Sequence, residues 1–203
     1  MPAPLRIGFF GGTFDPVHDG HLEIGAKAVR ALQLDTLIFL PCRRSPHKSS
    51  DPGASDQDRL EMLNLATSGD SLFRVDPFEL ERPPPSYTWQ TIRKLKPHFP
   101  ANTRFYLLIG LDQWEDLPKW QHPEKLAEDL EFIVVGRNGN PSQRDPFRAH
   151  FLKGDHPASA SQIRNDLASG HPPKWLPQSV LDYIQKKGLY SRQTYLAPSS
   201  KTS

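Results

Sequence analysis

The residues with the clearest chemical potential form one segment near the N terminus, Gly11-Gly12-Thr13-Phe14-Asp15-Pro16-Val17-His18-Asp19-Gly20-His21. Gly11 and Gly12 carry no Cβ, so their backbone can approach a bound group closely and can use φ angles that other residues avoid. Their amides would then donate hydrogen bonds to phosphate oxygens. Together with Thr13 beside them, they are candidate phosphate-binding residues.

The second feature of this segment is its pair of histidines. His18 and His21 are three residues apart, so their rings would project from one face if both lie in the first turn of a helix. Imidazole donates a hydrogen bond when neutral and adds positive charge when protonated, and it titrates near neutral pH. Nucleotidyl transfer asks for little covalent work from the protein, so such donors can carry most of the catalysis. The pair predicts chemistry on a polyphosphate.

Each half of the segment has a simpler interpretation. A glycine pair can form an ordinary turn, and two histidines can be surface residues or a helix cap. A metal site would need a third ligand, which His-x-x-His alone does not supply, and we expect no metal bound by the protein itself. Neither GxGxxG nor a Walker A motif is present, so the dehydrogenase and P-loop interpretations lose their main support.

The elements that must position this segment follow an α/β pattern, in which short apolar runs alternate with longer stretches of helical period. Strands are predicted at residues 5–10, 36–40, 72–75, 104–109 and 131–135. The last two are almost continuously apolar, which indicates parallel strands buried on both faces. The glycine and histidine segment follows the first strand, and ligands of open parallel sheets bind at such carboxyl ends.

Helices are predicted at residues 19–33, 55–66, 161–168 and 178–187. Ser55 and Asp58 resemble a capping box, Ser159 or Ser161 would cap the third helix, and Gly188 would end the fourth. The first helix begins within the segment, so its free N–H groups and dipole would favour an anion there. We expect Thr88 to begin a further helix.

Bulk properties narrow the function classes. The 203 residues can bury one core, which predicts a single domain over 1–190 and a flexible tail over 191–203. The net charge of +2 is dispersed, which argues against a nucleic acid partner. The single cysteine, Cys42, excludes an internal disulfide and indicates a reducing compartment, the cytoplasm. No apolar run reaches the roughly 18 residues of a membrane span. The oligomeric state is not predicted.

The segment from Gly11 to His21 resembles the signature of the T/HxGH nucleotidyltransferase superfamily, and it looks most like the bacterial nicotinate mononucleotide adenylyltransferases. The likeness continues in order to the edge of the tail, through these segments: Leu40-Pro41, Ser45-Pro46-His47-Lys48, residues 86–91, 109–112, Trp120, 135–137 and 159–164. It implies a Rossmann-like doubly wound parallel sheet with helices on both faces. It further implies transfer of AMP from ATP to nicotinate mononucleotide, with Mg²⁺ bound mainly by ATP and water.

The resemblance also implies roles for individual residues. His18, His21 and Arg164 would be catalytic. Lys48 would contact a phosphate, Thr88 the carboxylate of the pyridine ring, and Trp120 the flat face of that ring. The simpler alternatives are a solvated lysine, an N-capping serine, a solvated arginine and a core tryptophan. Residues that would bind ATP are Gly11, Gly12, Thr13, Gly110, Asp112 and Ser161.

Departures from the family pattern concern mainly the acceptor side. Gln90, Gln121, Asn138 and Ala160 replace more usual residues, whereas the first turn is intact. The reaction type is therefore better determined than the acceptor. One rival is the same fold acting on nicotinamide mononucleotide or phosphopantetheine, and Tyr87-Thr88 with Trp120 argues against the latter. Another rival is a catalytically silent nucleotide-binding module.

Overall fold

The computed structural model describes residues 3–43, 52–136, 142–154 and 156–191. Six strands within them form one sheet in the order β3-β2-β1-β4-β5-β6, and every neighbouring pair is parallel. The strands are β1 (Arg6–Gly12), β2 (Thr36–Pro41), β3 (Phe73–Val75), β4 (Arg104–Gly110), β5 (Glu131–Gly136) and β6 (Ala149–Lys153). The order reverses between β1 and β4, so a ligand-binding crevice is expected at their carboxyl ends.

The described part of the chain contains seven α-helices, of which the first five connect strands and the last two follow β6. They are α1 (Asp19–Leu32), α2 (Asp56–Thr67), α3 (Thr88–Leu95), α4 (Leu111–Asp116), α5 (Pro123–Asp129), α6 (Ala160–Ala168) and α7 (Gln178–Lys187). Short 3-10 helices extend α3 and α4 at Lys96–His98 and Leu117–Lys119. No helix in the described ranges is long and apolar enough to cross a membrane.

Alternate side chains of the central strands supply two cores, one on each face of the sheet. On β4, Tyr106 and Leu108 join the core beneath α1, α2 and α7, whereas Phe105 and Leu107 join the core beneath α3, α4 and α5. Both sets are buried. Since each face must be covered to remove this apolar surface from water, helices pack on both sides. The predicted doubly wound α/β class is therefore confirmed.

The predicted elements agree with the structure where the sequence signal is strongest. The five predicted strands are present to within two residues, and α7 ends as predicted at Gly188, which has a φ of 65°. Ser55 caps α2 by accepting a hydrogen bond from the Asp58 amide at 3.1 Å. The prediction omitted β6, α4 and α5. Of the predicted tail, only Ser191 lies within the described residues.

Candidate active site

A cavity of about 860 Å³ lies at the carboxyl ends of β1 and β4, where the strand order reverses. Most of the residues predicted from the sequence line it, although they come from β1, the turn after it, α1, α3, the end of β4, the region after β4, and α6. These lining residues are Gly11, Gly12, Thr13, His21, Thr88, Gly110, Asp112, Trp120 and Arg164. The fold therefore brings both halves of the predicted site to one opening.

Gly11 and Gly12 end strand β1, paired with Leu40 and Pro41 of β2. Among the described glycines, positive φ occurs at Gly170 and Gly188 only, so the expected use of unusual φ angles in the first turn is wrong. Close packing accounts for Gly12, whereas Gly11 faces open space. A Cβ on Gly12 would lie 2.9 Å from the Phe14 ring, whereas one on Gly11 would meet nothing within 4 Å.

His18 and His21 stack on each other at the start of α1, with ring centroids 3.7 Å apart and planes inclined by 21°. His18 is the N-cap residue, and its amide donates to Nδ1 of His21 at 3.3 Å. When Nδ1 accepts this bond, the proton of a neutral His21 ring is on Nε2, which becomes the ring's donor. The expectation that both rings share a face is met, but only His21 lines the cavity.

His18 lies behind His21 and is 7% exposed. Burial, with a smaller contribution from the nearby His156, lowers the pKa of His18 from 6.5 to about 4. Because the charged form is costly away from water, His18 is neutral at pH 7 in the protein without nucleotide. It therefore supports the site as a neutral ring rather than as a second cation.

Phe14 provides the surface on which this pair rests, and the sequence analysis assigned it no role. Its φ of 49° is unusual for a residue with a large side chain, and its ring is buried. The ring makes an edge contact with His21 at 5.0 Å and packs against Phe10 at 5.5 Å and Phe39 at 5.6 Å. The position of His21 is thus fixed by the apolar core.

Arg164 reaches the turn from α6. Its Nη1 donates to the carbonyl oxygen of Asp15 at 2.6 Å and lies 3.7 Å from the Asp15 carboxylate. Ala160 and Arg164 are four residues apart, so they share the helix face that lines the cavity. Ser161 is exposed and lies off that face. The structure therefore brings Arg164 to the cavity but not Ser161.

The opposite wall begins at Gly110, the N-cap of α4, whose amide donates to Gln113 Oε1 at 3.1 Å. A Cβ on Gly110 would lie 2.5 Å from a carboxylate oxygen of Asp112, so this carboxylate covers the glycine closely. Thr88 is the first residue of α3. Trp120 is half-buried and lines the cavity, whereas Trp114 is fully buried in the core.

The sequence analysis assigned no role to two residues that line the cavity. Trp89 lines the cavity beside Trp120, and its Nε1 donates to Gln121 at 3.4 Å. Glu79 is buried and accepts a hydrogen bond from the Thr91 hydroxyl at 2.7 Å, and its burial raises the pKa of its carboxyl. An isolated acidic residue in a proline-rich loop carries no sequence signal that separates it from a solvated one.

Lys48 and Asn138 lie outside the described residues, so the predicted lysine contact has no placement. Within the described ranges, no group of three or more histidine, cysteine, aspartate or glutamate side chains is arranged to hold a metal ion. The described site therefore combines backbone amides, one imidazole and one guanidinium around a cavity with aromatic walls. This set can bind an anionic group beside a flat ring.

Comparison with known proteins agrees with this geometry. Residues 9–166 match the model of the cytidylyltransferase-like family. A probable nicotinate-nucleotide adenylyltransferase of Geobacillus kaustophilus is 40% identical over 200 residues, covering 98% of this chain and 92% of the relative. One of Thermus thermophilus is 38% identical over 188 residues, covering 92% and 100%.

Among solved structures, the nicotinic acid mononucleotide adenylyltransferase of Plasmodium falciparum complexed with NaAD has a TM-score of 0.74. It is 21% identical, and the match covers 92% of this chain and 97% of that chain, so it shows a shared fold. The chain belongs to the cytidylyltransferase-like family, as a nucleotidyltransferase of the nicotinate-nucleotide adenylyltransferase group.

Proposed function

We propose that this chain transfers the adenylyl group of ATP to nicotinate mononucleotide, forming nicotinate adenine dinucleotide and pyrophosphate. The observation that carries the proposal is the set of residues around one cavity. The anion-binding groups of the first turn and Arg164 line the same opening as Gly110, Thr88 and Trp120. The cavity volume of about 860 Å³ is within the range of about 300 to 1,000 Å³ usual for ligand sites.

The reaction needs positioning and charge stabilisation more than proton transfer. The 5′-phosphate oxygen of the acceptor forms a bond to the α-phosphorus of ATP, and the bond from that phosphorus to the β-bridging oxygen breaks. The electron pair leaves with pyrophosphate. Because the acceptor phosphate is already ionised, no general base is required. The protein accelerates the step by aligning the two phosphates and by donating hydrogen bonds to the developing charge.

The phosphate side of the cavity supplies these donors. His21 would donate from Nε2, Arg164 would contribute a permanent positive charge, and the first helical turn of α1 adds free amides. His18 holds Nδ1 of His21 through its own amide at 3.3 Å. The catalytic set is therefore His21 and Arg164 in contact with the phosphates, with His18 orienting the imidazole and Lys48 as a further proposed contact.

The other wall accounts for the two nucleosides. Gly110 lets the Asp112 carboxylate lie close against the backbone, where its oxygens can accept hydrogen bonds from the hydroxyl groups of a ribose. Trp120 and Trp89 offer flat faces to a pyridine ring. Thr88 offers a hydroxyl and an unpaired first-turn amide position for the ring's carboxylate. The acceptor assignment follows from this combination of a flat ring site with an anion site.

Mg²⁺ as the companion of ATP is part of the proposal. Among the described carboxylates at the cavity, those of Asp15 and Glu79 already accept hydrogen bonds. The exposed carboxylate of Asp112 is the one whose oxygens could bind the metal ion. This donor set fits a metal held mainly by phosphates and water. When bound, the ion neutralises charge on the polyphosphate. We also place the activity in the cytoplasm, which is consistent with a single, buried cysteine that forms no disulfide.

The test is an assay of the purified chain with ATP and Mg²⁺. Nicotinate mononucleotide, nicotinamide mononucleotide and phosphopantetheine are offered separately, and pyrophosphate and the dinucleotide product are measured. We expect turnover with nicotinate mononucleotide at a kcat/KM well above that of the other acceptors. Turnover with phosphopantetheine alone, or ATP binding without pyrophosphate release from any acceptor, would overturn the proposal.

A further inference from the structure

The buried carboxylate of Asp15 joins distant parts of the chain at the first turn. One of its oxygens accepts a hydrogen bond from the Gly53 amide at 2.7 Å. The other accepts from the Ala54 amide at 3.0 Å and from the Tyr190 hydroxyl at 2.6 Å. Asp15 is 6% exposed. A carboxylate this buried is stable only while its oxygens are satisfied, so these three donors determine its orientation.

The same residue holds Arg164. Nη1 of Arg164 donates to the Asp15 carbonyl oxygen at 2.6 Å, and it stops 3.7 Å from the carboxylate. A direct ion pair would be shorter. The carboxylate is therefore satisfied mainly by amides and a hydroxyl, and the guanidinium is not drawn away from the cavity that it lines.

Tyr190 and Arg164 both pack over Gly53, and Tyr190 is also bonded to the aspartate. A Cβ on Gly53 would lie 3.2 Å from the Tyr190 ring and 3.5 Å from Cδ of Arg164, so both side chains meet on one glycine. Tyr190 itself is 1% exposed and does not line the cavity. Its hydroxyl can influence a bound nucleotide only through Asp15 and Arg164.

We propose that Tyr190 is a positioning residue for phosphate binding, because its hydroxyl holds the Asp15 carboxylate in the orientation that leaves Arg164 directed to the cavity. Without the hydroxyl, Oδ1 of Asp15 keeps only the longer bond from the Ala54 amide. The carboxylate is then free to rotate, which brings Oδ2, 3.7 Å from Nη1 of Arg164, closer to the guanidinium. The resulting ion pair would draw Arg164 from the polyphosphate. This inference rests on the proposed function of the same cavity.

Tyr190→Phe removes the hydroxyl and keeps the ring. We expect kcat/KM for ATP to fall about tenfold, the equivalent of one hydrogen bond of ~1.4 kcal/mol, while KM for nicotinate mononucleotide stays within about twofold. The matched control is Tyr183→Phe, which also removes a tyrosine-carboxylate bond, the 2.9 Å contact between α7 and Asp58 of α2. Tyr183 does not line the cavity and its hydroxyl bonds to Asp58, not to Asp15, so its variant should keep wild-type kinetics.

A double-mutant cycle separates positioning from general loss of stability. In an Arg164→Ala background, Tyr190→Phe should cost nothing further, because the group through which it acts is gone. Equal kinetics of Tyr190→Phe and wild type would overturn the inference, and so would losses that multiply in the double variant. Asp15→Asn, which keeps the shape and removes the charge, gives a second route to the same coupling if Tyr190→Phe does not fold.

The inference and the proposed function fail in different ways. Wild-type protein that forms no dinucleotide contradicts the proposed function, and the cycle is then run on the ATP dissociation constant, measured by calorimetry. ATP affinities that show no coupling between Tyr190 and Arg164 contradict the positioning role, whichever acceptor the enzyme uses.

Discussion

His18 and His21 are chemically identical but occupy different environments in the first turn. His21 lines the cavity with its ring supported by Phe14, whereas His18 is buried behind it and donates its amide to the His21 ring. A ring whose Nδ1 is engaged presents Nε2 as its only donor, so the second histidine and the turn together fix the tautomer of the first. One residue acts on the substrate and the other maintains its orientation.

Removal of the His21 ring tests the first of these roles. We expect His21→Ala to lower kcat by roughly 10² to 10³, the cost of losing one donor to developing charge, while the melting temperature changes little because the side chain is at the cavity surface. His98→Ala is the control and should retain full activity, because His98 belongs to the 3-10 helix that extends α3 and does not line the cavity. Near-normal turnover of His21→Ala would remove the imidazole from the mechanism.

The burial of His18 predicts a pH-dependent stability. In the folded protein the pKa of His18 is lowered to about 4 from its ordinary 6.5, so the unfolded chain binds a proton at higher pH than the folded one. The free energy of unfolding is therefore fully maintained above pH 6.5 and falls as the pH drops toward 4. Between pH 7 and pH 4.5, protonation of this single group should lower the free energy of unfolding by about 2 to 3 kcal/mol.

Urea unfolding of wild type and His18→Gln at these two pH values isolates the contribution. Other titrating groups affect both proteins and cancel in the difference. We expect the stability of wild type to decrease more than that of the variant between pH 7 and pH 4.5. Parallel pH dependences in the two proteins would show that His18 is not held neutral by the fold.

At the scale of the element, the end of β1 matters because two adjacent glycines have different surroundings. Gly11 faces open space in the cavity, while Gly12 faces the buried ring of Phe14. A methyl group at Gly11 takes room from the ligand, but a methyl group at Gly12 must displace a ring packed against Phe10 and Phe39. The same chemical change is therefore expected to have two different effects.

Gly11→Ala should raise KM for ATP several-fold and leave the unfolding free energy nearly unchanged. Gly12→Ala should lower the unfolding free energy by about 1 to 3 kcal/mol, the usual cost of overpacking. Each variant serves as the control for the other, with kinetics and thermal unfolding measured on both. Equal loss of stability in the two variants would contradict the assignment of Gly11 to the ligand and Gly12 to the core.

The central elements could be predicted from the sequence because burial on both faces leaves an unbroken apolar run, as in β4 and β5. Strand β6 was missed since it lies at the edge of the sheet and contains His150 and Lys153 with only partial burial. Helices α4 and α5 are six and seven residues long, too short for helical periodicity to be counted. The phase of α6 depends on the burial of Ile163, so the sequence did not separate Arg164 from Ser161.

The candidate site could be predicted to the extent that its residues are adjacent in the sequence. The first turn concentrates glycines and histidines in one segment, and its likeness to a known signature extends the prediction to Gly110, Thr88 and Trp120. The contacts of Asp15 with Gly53 and Tyr190 span 38 and 175 residues. No local pattern reports such pairings, because they exist only after the sheet has assembled.

At the scale of the whole molecule, the fully buried side chain of Arg59 joins the carboxyl ends of β1 and β2. Arg59 of α2 donates to the carbonyl of Thr13 after β1 at 2.6 Å and to the carbonyl of Cys42 after β2 at 2.7 Å. It also pairs with Asp56 at 2.6 Å. A buried guanidinium with these partners satisfies carbonyl groups that have no place in the strand ladder.

Arg59→Met should therefore lower the free energy of unfolding by about 3 to 5 kcal/mol, because apolar bulk is retained while a carboxylate and two carbonyl groups lose their donor. Arg93→Met is the control, since Arg93 pairs with Glu128 and Asp129 at the surface and is 42% exposed, and surface pairs contribute about 0 to 1 kcal/mol. Chemical denaturation of both variants measures the difference. If Arg59→Met lowers the free energy of unfolding no more than Arg93→Met does, the carboxyl ends of β1 and β2 keep their geometry without Arg59. The shape of the site would then depend on the sheet alone.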